Sequence, residues 1–134
     1  DKDFVKEKRI KSADTLEELV LDVDIIALTL PLTELSKGII NSKLMSKAKR
    51  NVVLINTSRA LIVDQNSLIV SLKNGKIKAF LTDVLEEEPM IENHPLLKFD
   101  NVMITPHIGS RTYETVQRQG LMATENLFRE LKID

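Results

Sequence analysis

The stretch KAFLTDV at residues 78–84 is followed directly by LEEEP at residues 85–89, and this change from apolar to acidic residues decides the fold class. The first part is the β-rich apolar run of a strand, and the second is a polar loop at its end. Two further runs of this kind lie at residues 51–56 and 101–105. Helical patterns separate strand candidates along the chain, and this order indicates parallel βαβ units with right-handed crossovers.

The remaining elements follow from apolar spacing and capping residues. Residues 24–30, DIIALTL, are almost continuously apolar, which predicts a strand buried on both faces. Thr15 and Glu18 form a capping-box pattern that begins a short helix through residues 19–23. Further helices are predicted at residues 41–46, at residues 64–75 with Asp64 as the cap and Gly75 at the end, and at residues 112–132, where Gly120 interrupts the apolar stripe.

Side chains suited to bind and protonate an anion follow three of the strand candidates. Ligands of open α/β sheets bind outside the carboxyl ends of the strands, which is where Arg59, Glu88 and His107 fall. The planar fork of Arg59 can hold a carboxylate through two hydrogen bonds. Pro89 restricts the backbone of Glu88 to extended conformations, and His107 precedes a glycine and a long helix. A surface arginine and a solvated acidic loop remain the alternative interpretations.

Three blocks of sequence carry a resemblance to a known family. Residues 56–59 (NTSR), residues 83–89 (DVLEEEP) and residues 105–109 (TPHIG) resemble the signature blocks of the D-isomer-specific 2-hydroxyacid dehydrogenases. Ser110 stands in place of a second glycine after the histidine, and this variation resembles the glyoxylate/hydroxypyruvate reductases of that family. The resemblance implies an oxidoreductase that reduces a small 2-oxo acid to the D-2-hydroxy acid with NADH or NADPH.

The resemblance also implies roles for single residues. Arg59 would bind the substrate carboxylate, His107 would donate the proton to the carbonyl oxygen, and Glu88 would hydrogen-bond the imidazole and stabilise the imidazolium. A nicotinamide cofactor, NAD or NADP, would supply the hydride. No metal is implied. The residues expected to contact the cofactor are Leu30, Pro31, Leu32, Thr33, Thr57, Ser58, Arg59, Asp83, His107, Gly109 and Ser110.

The implied fold is an α/β, Rossmann-like parallel sheet flanked by helices, and it is incomplete. A dinucleotide fold should carry a Gly-x-Gly-x-x-Gly turn after its first strand. The glycines at positions 38, 75, 109 and 120 form no such turn. Residues 1–134 are therefore expected to form, as a single domain, the second part of an NAD(P)-binding domain. The first βαβ unit and the substrate domain are expected upstream of Asp1, and the fragment alone should turn over little or nothing. Asp1 is a candidate for the ribose-binding acid of the family, although Lys2 and Asp3 leave the register open.

Composition bounds the function classes. A chain of 134 residues with 43% hydrophobic residues suits one domain, and a formal net charge of −1 does not favour a nucleic-acid partner. The absence of cysteine excludes a disulfide framework and a thiol nucleophile. No apolar run approaches the roughly 20 residues that span a bilayer, so no membrane partner is expected. A cytoplasmic homodimer acting on a small 2-oxo or 2-hydroxy acid is the resulting expectation.

Two other function classes remain open at this point. The resemblance also covers the C-terminal binding protein corepressors, in which nucleotide binding controls assembly and the same three residues are retained. A structural α/β fragment without activity is the third possibility. Activity with 2-oxo acids separates an enzyme from both.

Overall fold

The computed structural model describes residues 7, 8 and 10–132. Within them a four-stranded parallel sheet has the strand order β1-β2-β3-β4, so each strand lies beside its neighbour in the sequence. The strands are β1 (Ile25–Leu28), β2 (Val52–Asn56), β3 (Ile77–Thr82) and β4 (Val102–Ile104). The α-helices are α1 (Leu16–Leu21), α2 (Ser42–Lys47), α3 (Gln65–Lys73) and α4 (Tyr113–Leu131). The predicted Rossmann-like α/β fold is confirmed.

Capping residues begin the helices at the predicted positions. The side chains of Thr15, Asn41, Asp64 and Thr112 each accept a hydrogen bond from the backbone three residues later, at the start of α1, α2, α3 and α4. Gly75 follows α3 with a φ of +70°, a conformation that costs glycine little. Helix α4 is continuous through Gly120, so the glycine that interrupts its apolar stripe does not end the helix.

One face of the sheet carries the core. Its side chains include Leu54 at the centre of β2 and Phe80 in β3, which are paired neighbours and both buried. Residues from α2, such as Leu44 and Met45, and residues from α3, such as Leu68, complete the same cluster. Burial of these side chains contributes the main stabilisation of the sheet, at about 1.5–3 kcal/mol for each large apolar side chain.

The prediction that β1 is buried on both faces was wrong. Ile25 is 58% exposed, whereas Leu28 is 5% exposed and packs in the core. The strand lies at the edge of the sheet. Helices α1, α2 and α3 place their buried residues in the core on one face of the sheet. The opposite face, which includes Ile25 and Met103, stays largely open to solvent in the described residues.

Helix α4 also lacks buried residues in the described part of the chain. The sequence pattern left open whether it packs across the sheet, and within residues 7, 8 and 10–132 it does not. Across the same part of the chain, no helix is long and apolar enough to cross a membrane. Asp1, the candidate for the ribose-binding acid, lies outside the described residues.

Candidate active site

Three polar loops meet at the carboxyl edge of the sheet because β2, β3 and β4 are parallel neighbours. The loop after β2 carries Arg59, the loop after β3 carries Asp83 and Glu88, and the loop after β4 carries His107. In an open α/β sheet this edge is the place where ligands bind. The fold therefore brings the three predicted loops to one side of the molecule.

A buried asparagine organises the loop that carries Arg59. Asn56 is 1% exposed, its Nδ2 donates to the carbonyl oxygen of Arg59 at 3.0 Å, and its Oδ1 accepts from the backbone N–H of Ser58 at 3.1 Å. The Arg59 guanidinium Nη1 donates to the Ser58 carbonyl oxygen at 2.7 Å. These bonds satisfy the buried amide and fix the loop, which leaves Arg59 exposed at the sheet edge.

A cavity of about 580 Å³ lies beside Arg59. The loops after β1 and β2 line it through Thr29, Pro31, Leu32, Thr57, Ser58 and Arg59. The Ser58 hydroxyl donates to the Leu30 carbonyl oxygen and so links the two loops. Leu30 and Thr33, also predicted to contact the cofactor, are not among the residues that line the cavity. The backbone N–H of Thr33 instead donates to the hydroxyl of Ser36 at 2.7 Å.

His107 and Glu88 form a direct pair on the other side of this edge. The Nδ1 atom of His107 lies 2.8 Å from Oε2 of Glu88, and the backbone N–H of Leu85 donates to Oε1 of Glu88 at 2.9 Å. The Leu85 N–H and, next, the His107 ring lower the pKa of Glu88 below its ordinary value. Glu88 is therefore an anion at neutral pH. The peptide bond that follows it, Glu88–Pro89, is cis. Because a carboxylate only accepts hydrogen bonds, the proton of this pair lies on Nδ1. The second ring nitrogen, Nε2, takes no part in the pair with Glu88.

The backbone of His107 adopts a left-handed conformation with a φ of 54°. Residues other than glycine pay roughly 1–3 kcal/mol in such regions, and they persist there only where surrounding contacts determine the loop. His107 donates its backbone N–H to the carbonyl oxygen of Thr105 at 3.0 Å, and Arg111 donates to that of Ile108 at 2.9 Å. The loop after β4 is thus closed by its own backbone on both sides of the histidine.

The carboxylate of Asp83 accepts three hydrogen bonds from the same loop. Its Oδ1 accepts from the Thr105 hydroxyl at 2.5 Å and from the Ile108 N–H at 2.9 Å, and its Oδ2 accepts from the Gly109 N–H at 2.8 Å. Burial raises the pKa of Asp83, but these hydrogen bonds and the nearby His107 lower it by more, so the net pKa lies below the ordinary 3.8. A Cβ added at Gly109 would lie 2.9 Å from Oδ2 of Asp83, so this close approach requires glycine.

A second cavity, of about 700 Å³, opens beside the histidine. Glu88, His107 and Ser110 line it together with apolar side chains such as Leu85, Met90 and Ile104. A smaller cavity of about 100 Å³ shares Thr57 with the first cavity and Thr105 with the second. The three predicted catalytic residues thus divide between two cavities along one sheet edge: Arg59 lines the first cavity, and Glu88 and His107 line the second.

Two residues of this site belong to the sequence blocks but were given no role from the sequence. Asn56 supports the Arg59 loop, and Thr105 donates to Asp83. A polar residue at the last position of an apolar run, directly before a turn, is the signal that could have found Asn56. The partner of Thr105 could not have been found in this way, because it lies 22 residues away in the sequence.

Comparison with known proteins identifies the family. The family described as D-isomer specific 2-hydroxyacid dehydrogenase, NAD binding domain, matches residues 1–109. The chain belongs to this family. The glyoxylate reductase of Thermofilum pendens is 43% identical over 117 residues, which cover 87% of this chain and 34% of that protein. The glyoxylate/hydroxypyruvate reductase B of Yersinia enterocolitica is 39% identical over 117 residues, which cover 87% of this chain and 36% of that protein.

Solved structures of the same family share the fold. The apo form of D-mandelate dehydrogenase from Rhodotorula graminis superposes with a TM-score of 0.86 at 29% identity, covering 96% of this chain and 37% of that one. The chain therefore spans about a third of the length of the relatives that it matches. The family assignment confirms the resemblance inferred from the three sequence blocks.

Membership of an NAD-binding family makes NAD or NADP the cofactor to test against these residues. The first cavity has a lining that fits a polar part of such a dinucleotide, since it offers the hydroxyl-bearing Thr29, Thr57 and Ser58 beside apolar Pro31 and Leu32. The hydroxyl of Ser58 is already bonded to Leu30, which leaves its neighbours as the available donors. Among the described residues, no cluster of three or more histidines or acidic side chains could hold a metal ion.

Proposed function

We propose that this chain supplies the acid/base pair and the carboxylate-binding arginine of an NAD(P)-dependent D-2-hydroxyacid dehydrogenase. The observation that carries the proposal is the 2.8 Å contact of His107 Nδ1 with Glu88 Oε2 beside an open cavity. A histidine held by an ionised carboxylate is the arrangement needed for general acid catalysis near neutral pH. Its position at the carboxyl edge of a parallel sheet agrees with the place where such ligands bind.

Each residue would have one role in the reaction. When bound, a reduced nicotinamide supplies the hydride to the carbonyl carbon of a 2-oxo acid. The Nε2–H of the His107 imidazolium donates a proton to the carbonyl oxygen as negative charge develops there. Glu88 holds the ring through Nδ1 and stabilises the imidazolium before the proton leaves. In the reverse direction the neutral imidazole accepts the same proton from the hydroxyl group.

Arg59 would bind the carboxylate of the substrate. Its guanidinium makes one hydrogen bond to the Ser58 carbonyl oxygen and retains further N–H donors, so it can still hold a carboxylate in a bidentate pair. Holding this group fixes the distance of the carbonyl from His107 and from the cofactor. Thr57 and Ser58, on the same loop, would face the nicotinamide end of the cofactor together with Pro31 and Leu32.

The whole protein would contain more than these residues. We infer that residues 1–134 form the second part of an NAD(P)-binding domain and that a longer polypeptide provides the glycine-rich loop and the substrate domain. The chain spans about a third of its relatives, which supports this inference. Those relatives are named for glyoxylate and hydroxypyruvate, and we propose small 2-oxo acids of this type as substrates. A homodimer and a cytoplasmic location stay predictions.

Replacement of His107 by alanine in the full-length protein tests the proposal. Oxidation of NADH or NADPH is measured with glyoxylate, hydroxypyruvate and pyruvate. We expect turnover by the parent protein and a loss on the order of 10²–10⁴-fold in the His107→Ala variant, because the proton donor is removed. Cofactor binding, followed by its fluorescence, should remain. An unchanged turnover would overturn the catalytic role, and a parent protein that binds the cofactor but reduces none of these acids would favour a nucleotide-regulated binding protein.

A further inference from the structure

The carboxylate of Asp83 accepts three hydrogen bonds from the protein itself. Thr105 and Ile108 donate to Oδ1, and Gly109 donates to Oδ2. The residue is 9% exposed. Asp83 was expected from the sequence to contact the cofactor, and a hydrogen bond from the cofactor to this carboxylate would have to compete with these three donors.

The donors surround the one residue of the site whose backbone is strained. Thr105 precedes His107 by two residues, and Ile108 and Gly109 follow it directly. The carboxylate therefore joins both ends of the turn in which His107 adopts a positive φ. Ionised acceptors make stronger hydrogen bonds than neutral ones, so this arrangement suits the task of holding an unfavourable backbone conformation.

We propose that Asp83 and Thr105 are positioning residues that form a latch, which holds the His107 loop so that the imidazole faces Glu88 on one side and the cavity on the other. This inference rests on the proposed function for its effect on turnover, but the latch itself is a property of the chain alone. Thr105 has a second connection to the sheet, since its backbone N–H donates to the Thr82 carbonyl oxygen at 2.9 Å. Thr105 is thus bonded to the end of β3 through its backbone and to the Asp83 carboxylate through its hydroxyl.

Paired substitutions at Thr105 isolate the hydroxyl. Thr105→Val keeps the shape of the side chain and removes the donor, whereas Thr105→Ser keeps the donor. Thr124→Val, on the exposed helix α4, is the matched control. Amide hydrogen exchange of Ile108 and Gly109 is measured by NMR in the full-length protein without cofactor. We expect exchange at both amides to rise about tenfold in Thr105→Val and to stay at the parent rate in Thr105→Ser and Thr124→Val.

Gly109→Ala provides a second variant that strains the latch from the opposite side. Its Cβ would displace Oδ2 of Asp83, so exchange of the Ile108 amide should also rise. If one latch is responsible, the double variant with Thr105→Val should show less than the product of the two single effects. Exchange rates that are unchanged in Thr105→Val, or effects that multiply independently, would overturn the latch.

Kinetics of the full-length protein separate positioning from cofactor contact. We expect Thr105→Val to lower kcat by up to about 100-fold with little change in the KM for the cofactor, and Thr105→Ser to restore kcat. A loss confined to the cofactor KM would overturn the positioning role in favour of direct contact with the cofactor. If the parent protein has no dehydrogenase activity, the proposed function fails, and the exchange experiment still decides on the latch.

Discussion

Oε2 of Glu88 and Nδ1 of His107 lie 2.8 Å apart, and Oε1 of the same carboxylate accepts the backbone N–H of Leu85 at 2.9 Å. Both oxygens of Glu88 are therefore used, one to fix its own position and one to hold the ring. The carboxylate is oriented before any substrate is bound, so it is preorganised for the stabilisation of an imidazolium.

Replacement of Glu88 by glutamine removes the negative charge and keeps the shape of the side chain. In the full-length protein, Glu88→Gln should lower kcat/KM for a 2-oxo acid by about tenfold, because a neutral hydrogen bond replaces a charge-assisted one. Glu87→Gln, an exposed neighbour in the same acidic loop, is the matched control and should behave as the parent protein. Steady-state kinetics across pH 5–9 measure the effect. Equal activity of the two variants would remove Glu88 from the mechanism.

The geometry of the Arg59 guanidinium gives a second prediction. Arg59→Lys keeps the positive charge but loses the planar fork, so kcat/KM for glyoxylate should fall by about 10- to 100-fold. Arg118→Lys on the exposed helix α4 is the control and should leave the rates unchanged. Inhibition by oxalate, a carboxylate that needs no proton transfer, should weaken in parallel. A variant with normal kinetics would show that the carboxylate binds elsewhere.

The sequence predicted the order of the elements because its local signals agree with the tertiary structure. Thr15, Asp64 and Thr112 begin helices as predicted, and the runs around residues 51–56 and 78–84 became neighbouring parallel strands. Each of these signals lies within a few residues of its effect. The burial of β1 was not predictable in the same way, because it depends on which elements cover each face of the sheet.

The site shows the same division between local and distant information. The sequence blocks predicted Arg59, Glu88 and His107 as candidates, and the fold brings their loops to one edge. The sequence did not predict that the Asp83 carboxylate would accept hydrogen bonds from the loop after β4, because the donors are 22 to 26 residues away. The roles of these residues in catalysis stay predictions until the variants are measured.

Burial of Leu54 gives a prediction about stability. This side chain is fully buried at the centre of the sheet, so Leu54→Ala should lower the free energy of unfolding by about 2–5 kcal/mol. Leu35, which is 90% exposed, offers the control, and Leu35→Ala should change it by about 0.5 kcal/mol or less. Urea unfolding followed by circular dichroism measures both. Similar values for the two variants would contradict the assignment of the core face.

The hydrogen bonds of Asn56 give a comparable prediction for the site. Asn56→Ala leaves the Arg59 carbonyl oxygen and the Ser58 N–H without their partner, which should cost about 1–3 kcal/mol of stability. Asn66→Ala, at an exposed position in α3, should cost about 0.5 kcal/mol or less. Urea unfolding compares the two variants. Equal losses would mean that the buried amide does not organise the Arg59 loop.

Acid should destabilise the protein through its oriented carboxylates. The pKa of Asp83 is lowered because the loop hydrogen bonds outweigh burial, and those of Glu88 and Asp64 are lowered by backbone and side-chain donors at Leu85 and Ser67. A depressed pKa in the folded state adds stability above the ordinary values of 3.8 for Asp and 4.5 for Glu. That stability is lost as the pH falls below those values and through the folded-state pKa.

The free energy of unfolding should therefore stay level from neutral pH to about pH 5 and fall steeply below about pH 4. Asp83→Asn should be less stable than the parent at pH 7 and should lose less stability on acidification, because the linked proton is absent. Glu34→Gln, at an exposed position, should follow the parent curve at every pH. Urea unfolding at intervals between pH 7 and pH 3 measures all three. Protonation of Asp83 and its replacement by Asn both remove the negative charge that strengthens these hydrogen bonds. If the stability of Asp83→Asn fell as steeply in acid as that of the parent protein, the ionised Asp83 would not be a source of the acid sensitivity.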